Sequence, residues 1–179
     1  MNIIVIRNTE APSNVNYVVG GRCDEKLTQK GINQAKQLRE ELKNIDYDII
    51  ISSPVNRAVE TAEIINYKQL PIVQDDRITE RDPGKLVLKD RNLVNKSDWN
   101  SLDKLKAKDS AETLLSLLNR TEDFLNDMKT KYKNKNILLV THNSISRAIW
   151  ILVDKKDKSK EEINSYYHRS EDIKIYRNI

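Results

Sequence analysis

Four residues able to take part in chemistry stand close behind short apolar runs of this chain. Arg7 follows residues 3–6, Arg57 follows 48–52, Glu80 lies just beyond Ile72–Gln74, and His142 follows Asn136–Thr141. Ser52 and Ser53 precede Arg57 and add two hydroxyls. Two guanidiniums can grip a phosphate through paired N–H donors, and a helix N-terminus adds free N–H groups and the positive end of its dipole. Taken singly, each residue reads as a surface ion pair or a satisfied histidine. Converging on one rim, they read as a site for a dianionic phosphoryl group.

The elements that must position them follow from hydrophobic pattern. Residues 3–6, 48–52, Ile72–Gln74, Asn136–Thr141 and Ile173–Tyr176 are short and rich in β-branched residues, as strands covered on both faces should be. Segments of helical period alternate with them. One starts at Thr28, a plausible N-cap, and carries Gln34, Ala35, Leu38 and Leu42. The next is expected to start at Pro54 with Ser53 as cap and to bury Ala58, Ala62 and Ile65. A third spans about 111–131, and a fourth follows His142 with Ile145, Ile149 and Leu152. The expected fold is α/β: one domain over 1–179, three layers, a mostly parallel sheet with helices on both faces. In such sheets ligands bind at the carboxyl ends of the strands, where the four residues fall. Residues 85–108, polar and carrying Trp99, fit no element and are long for a connection, which makes them a candidate lid or specificity insertion.

The 179 residues suit a single core that buries roughly 70% of the unfolded surface. No apolar run approaches the ~20 residues that span a bilayer, and the first residues lack the basic flank of a secretory signal. A lone cysteine, Cys23, excludes an internal disulfide and a four-cysteine metal site, so a cytoplasmic protein is expected. Residues 1–84 hold 11 Lys+Arg and 13 Asp+Glu, whereas 85–179 hold 20 and 14, so the net charge of +4 comes from the second half. Its tract Lys155-Lys156-Asp157-Lys158-Ser159-Lys160 is interleaved with acid and lacks aromatic neighbours, so it reads as solvated surface rather than a nucleic-acid interface.

Five ordered motifs resemble those of the histidine phosphatase superfamily, the phosphoglycerate mutase-like proteins. Arg7-Asn8-Thr9-Glu10-Ala11 stands where the family has Arg-His-Gly-Glu-Thr, with Asn14 seven positions after the arginine. Residues 21–35 are similar to the family's GRxDxPLTxxGxxQA segment, and residues 52–62 to its SSPxxRAxxTA helix start. Asp76-Arg77-Ile78-Thr79-Glu80 resembles the segment that delivers the general acid, and Leu139-Val140-Thr141-His142 the strand that ends in the second histidine. The resemblance implies a small phosphomonoesterase that needs no metal or organic cofactor. Mutases similar to it usually carry more chain around the site. Glu80 would be general acid and then base, and Arg7, Asn14, Arg57 and a protonated His142 would bind the phosphoryl oxygens. Tyr17, Arg22 and Asn143 would sit at the substrate rim. The partner would be a small phosphorylated substrate or inorganic phosphate, and the chain a monomer or homodimer.

Asn8 is the informative departure. In the family this position is the histidine whose ring nitrogen attacks phosphorus. An amide cannot replace it, because its nitrogen lone pair is delocalised into the carbonyl. Two readings follow: a phosphatase inactivated at one position, suited to trapping a ligand, or a natural pseudoenzyme that binds a phosphorylated ligand without hydrolysing it. Asn143, where the family often has glycine, and the single glycine of Asp82-Pro83-Gly84-Lys85-Leu86-Val87-Leu88 are further departures. His168 reads as a surface or structural residue rather than a catalytic one.

Overall fold

Strands made of unbroken β-branched and aliphatic residues must be covered on both faces; the three central ones are, whereas the two edge strands leave Val73 and Ile175 exposed. The computed structural model describes residues 1–95, 99, 110–154 and 158–179. Among them five strands form one sheet: β1 (Asn2–Arg7), β2 (Ile49–Ser52), β3 (Ile72–Gln74), β4 (Asn136–Thr141) and β5 (Ile173–Tyr176), in the order β3-β2-β4-β1-β5. β5 runs antiparallel beside β1, and the other pairings are parallel. The described helices are α1 (Pro12–Val15), α2 (Gln29–Leu42), α3 (Asn56–Ile65), α4 (Leu114–Lys131), α5 (Asn143–Val153) and α6 (Lys160–Ser165).

Alternation along β1 divides the core. Ile3 and Val5 pack with Leu117, Phe124 and Met128 of α4 and Ile145 and Ile149 of α5. Ile4 and Ile6 face the other way, against Ala35, Leu38 and Leu42 of α2 and Ala58, Ala62 and Ile65 of α3. Each such Ile, Val, Leu, Phe or Met side chain contributes roughly 1.5–3 kcal/mol when fully buried. The three-layer, mostly parallel α/β architecture is therefore present.

Register brings three strand ends level. Arg7 lies opposite Thr141 and Ser52 opposite Val140. The ladder continues one residue further: Asn8 N–H donates to Thr141 O at 2.8 Å, and Ser53 N–H to Val140 O at 2.9 Å. Asn8, Ser53 and His142 leave the sheet at one edge.

Thr28 caps α2, its hydroxyl oxygen accepting from Gly31 N–H at 3.0 Å. Helix α3 begins two residues later than expected, at Asn56 with Val55 as cap; the Ser53 hydroxyl accepts from Val55 N–H ahead of the helix and donates to His142. Helix α4 begins at Leu114, where the Thr113 hydroxyl accepts from Ser116 N–H. The start of the 85–108 stretch is pinned to the segment after α1: Leu88 N–H donates to Val19 O, Val19 N–H to Lys89 O and Arg91 N–H to Tyr17 O. Residues 96–98 and 100–108 of that stretch, and Lys155, Lys156 and Asp157 of the basic tract, lie outside the described residues.

Candidate active site

At the carboxyl edge His142 is fully buried as the N-cap of α5. The amide of Asn8 is oriented by its own neighbour, since Nδ2 donates to Thr9 O at 2.9 Å. That leaves Oδ1 facing His142 Nδ1 at 2.9 Å, so the proton on the ring sits at Nδ1 and donates to Asn8. The opposite ring nitrogen, Nε2, then accepts from the Ser53 hydroxyl at 2.8 Å. Ser53 Oγ in turn accepts from Val55 N–H at 3.3 Å. Each polar atom of this buried chain has a partner, which is what a low-dielectric interior demands.

Two arginines flank the chain. Arg7, at the end of β1, donates from Nη1 to His168 O at 2.8 Å and lies 4.7 Å from the Tyr167 ring centre. Arg57, in the first turn of α3, donates from Nη2 to Gly21 O at 2.5 Å and from Nη1 to Cys23 O at 3.2 Å, and pairs with Glu25 at 3.4 Å. Gly21 has φ of +51°, and a Cβ there would meet the Pro83 ring at 2.5 Å, so the turn that presents its carbonyl to Arg57 needs glycine. Arg57 Nη2 is 3.4 Å from His142 Nδ1.

These charges set protonation. Burial, and then the fields of Arg57 and Arg7, push His142 well below the ordinary histidine range. A ring so lowered is neutral at neutral pH unless an anion stands beside it. A dianion beside it would supply the charge that restores a proton. Arg57 is itself lowered by burial and supported by Glu80 and Glu25, and a guanidinium remains cationic at neutral pH. The Cys23 thiol is pushed up by burial, so it is not a reactive thiolate.

A cavity of about 510 Å³ opens beside this centre and is lined by Arg7, Tyr17, Glu80 and Asn143 together with Arg81 and Arg147. Glu80 Oε1 accepts from Arg81 N–H at 2.8 Å. Tyr17, with φ of +54°, and Asn143 stand on the wall of this cavity. Arg22 does not line the cavity; it donates from Nε to Glu80 O at 3.0 Å and steadies that residue's backbone. Asn14 Oδ1 accepts from Ala11 N–H at 2.9 Å, and Asn14 does not line the cavity.

Arg81, Arg147 and His168 were not legible as site residues. Arg81 is 1% exposed, donates to the carbonyls of Glu112 at 2.7 Å and Trp99 at 2.6 Å, and stacks 4.0 Å from the Trp99 ring. Burial lowers it to about 10. The only hint was its position directly after Glu80. Among the described residues, no group of three or more His, Cys, Asp or Glu is placed to hold a metal, and no helix is long and apolar enough to cross a membrane.

Comparison with known proteins gives concordant results. The sequence profile described as the histidine phosphatase superfamily (branch 1) matches residues 3–167. The chain is 32% identical over 151 residues to the uncharacterized phosphatase PhoE of Bacillus subtilis, covering 82% of this chain and 74% of that one. It is 30% identical over 167 residues to phosphoserine phosphatase 1 of Hydrogenobacter thermophilus, covering 89% and 79%. Among solved structures, YhfR of Bacillus stearothermophilus shares the fold with a TM-score of 0.84 at 24% identity, over 97% of this chain and 89% of that one.

Proposed function

This chain belongs to the histidine phosphatase superfamily (branch 1), and we propose that it is a phosphomonoesterase scaffold with an intact phosphoryl cradle whose turnover is abolished or severely reduced by Asn8. One observation carries the reading. Asn8 Oδ1 accepts from His142 Nδ1 at 2.9 Å, so an amide without an available nitrogen lone pair occupies the centre of the cradle.

With histidine at position 8 the reaction balances in two steps. The ring nitrogen attacks phosphorus while the ester P–O bond breaks, and Glu80 gives its proton to the leaving alkoxide. Water then attacks the phosphohistidine, Glu80 takes the water's proton, and the P–N bond breaks to release phosphate. Arg7, Arg57 and Asn14 hold the equatorial oxygens, and His142, protonated as the dianion arrives, joins them. The reaction calls for no metal or organic cofactor. The ligand is a small phosphorylated molecule or inorganic phosphate, met by a cytoplasmic monomer or homodimer. Tyr17, Asn143 and the 85–108 stretch are where substrate choice is sought.

A natural pseudoenzyme is the second reading. It is favoured by the way Asn8 closes a fully partnered chain with Thr9, His142 and Ser53. The test is calorimetric binding of inorganic phosphate to this chain, combined with hydrolysis of p-nitrophenyl phosphate by Asn8→His. Phosphate binding with restored hydrolysis supports the inactivated phosphatase. Phosphate binding with a dead revertant supports the pseudoenzyme, and no phosphate binding rejects both.

A further inference from the structure

We infer that His168, which takes no part in the reaction above, is a positioning residue for the phosphate cradle: its buried ring fastens the 166–172 segment to the first turns of α5, and its own carbonyl oxygen then holds Arg7. The inference rests on the phosphoryl-site reading.

The geometry runs from one side of the cradle to the other. His168 Nε2–H donates to Asp172 O at 2.9 Å, which leaves Nδ1 to accept from the Ser146 hydroxyl at 2.6 Å. Ser146 N–H donates to His142 O at 2.9 Å, so the residue that anchors His168 is itself bonded to the N-cap of α5. His168 N–H donates to Asn143 Oδ1 at 2.9 Å, and its carbonyl accepts from Arg7 Nη1 at 2.8 Å. The Tyr166 hydroxyl lies 2.8 Å from Ser146 Oγ, and the Tyr167 ring packs against the Arg7 guanidinium. Both polar ends of the His168 peptide unit are thus spent on cavity-lining residues, one from β1 and one from α5.

Elsewhere an arginine at the end of a strand has several rotamers to lose when it grips an anion. Here one N–H donor is fixed in advance, which removes part of that entropic cost on binding. His168 is fully buried, so its ring cannot reach a ligand in the cavity, and it acts through Arg7 and Asn143.

Two readouts test this: calorimetric affinity for inorganic phosphate, and restricted rotation of the Arg7 guanidinium seen in ¹⁵N-edited NMR of the ligand-free chain. His168→Phe keeps a buried ring and removes both of its hydrogen bonds. It should weaken phosphate binding about tenfold, the size of one charge-assisted contact, and free the Arg7 rotation. His168→Asn, whose amide oxygen can take the Ser146 hydroxyl, should recover most of both. A core control, Phe124→Leu, should lower Tm while leaving both readouts in place. The proposal is overturned if His168→Phe binds phosphate within twofold of the parent with Arg7 unchanged, or if Phe124→Leu moves the readouts as far. Should His168→Phe fail to fold, Ser146→Ala cuts the same link from α5, and an unchanged affinity and Arg7 signal there overturns the proposal. A parent chain that binds no phosphate refutes the cradle reading, whereas the ligand-free Arg7 signal still decides the positioning role.

Discussion

Ser53→Ala isolates the chain of hydrogen bonds that fixes His142. The hydroxyl donates to His142 Nε2 at 2.8 Å and accepts from Val55 N–H at 3.3 Å, and both Ser53 and His142 are fully buried. Deleting it strands an imidazole acceptor away from water, at about 1–3 kcal/mol. Moving the ring proton to Nε2 leaves that N–H without the Ser53 oxygen and sets an Nδ1 lone pair against Asn8 Oδ1, whose amide is held by Thr9, with Arg57 Nη2 at 3.4 Å as the remaining donor. For a chain of this size each kcal/mol lowers Tm by roughly 2–4 °C, so a drop of roughly 2–12 °C is expected. Urea unfolding measures the free energy, and long-range ¹⁵N NMR of the histidine ring reads the tautomer, which should be Nδ1–H in the parent. A variant within about 0.3 kcal/mol of the parent, below the smallest net hydrogen-bond contribution, would refute the reasoning, as would an Nε2–H tautomer in the parent.

Three other outcomes follow from the same geometry. Arg57→Met should weaken inorganic phosphate by about 10–100-fold in calorimetry, since it deletes charge-assisted donors worth about 1.5–3 kcal/mol; a change under threefold contradicts its role. His168 is lowered to about 4 by burial, so the unfolded chain, near 6.5 at that residue, binds the proton first and stability is lost as pH falls through 6.5 toward 4. Urea unfolding should show about 2 kcal/mol of this loss between pH 7.5 and 5 disappearing in His168→Phe; an equally steep loss in the variant speaks against it. Gly31→Ala should destabilise by about 1–3 kcal/mol or more, because its Cβ would lie 2.1 Å from Glu10 O, a backbone atom that cannot swing aside; an unchanged urea midpoint counts against that packing.

Strand positions and the rim they share were readable because both rest on local patterns. Residues 3–6 and Asn136–Thr141 are too uniformly apolar to face water, and a parallel arrangement puts Arg7, Arg57 and His142 at one edge wherever the strands pair. The bond from Ser53 to His142 is not legible locally, because His142 lies 89 positions away and becomes a neighbour only through the pairing of β2 with β4. His168 and Arg147 were silent for a similar reason. His168 meets Arg7 only because β5 turns back antiparallel beside β1 and draws residues 166–172 over the rim, and Arg147 reaches the cavity from α5, where it donates to Tyr166 O. The neutrality of His142 was not readable either, since it follows from complete burial between two guanidiniums.

Single-turnover trapping with Asn8→His shows most directly whether residue 8 alone withholds turnover from this site. The revertant is mixed with a ³²P-labelled phosphomonoester and quenched within the first turnover. Label is expected bound covalently to residue 8 in an acid-labile P–N linkage, absent from the Asn8 parent. A folded, phosphate-binding revertant that takes up no label would contradict this.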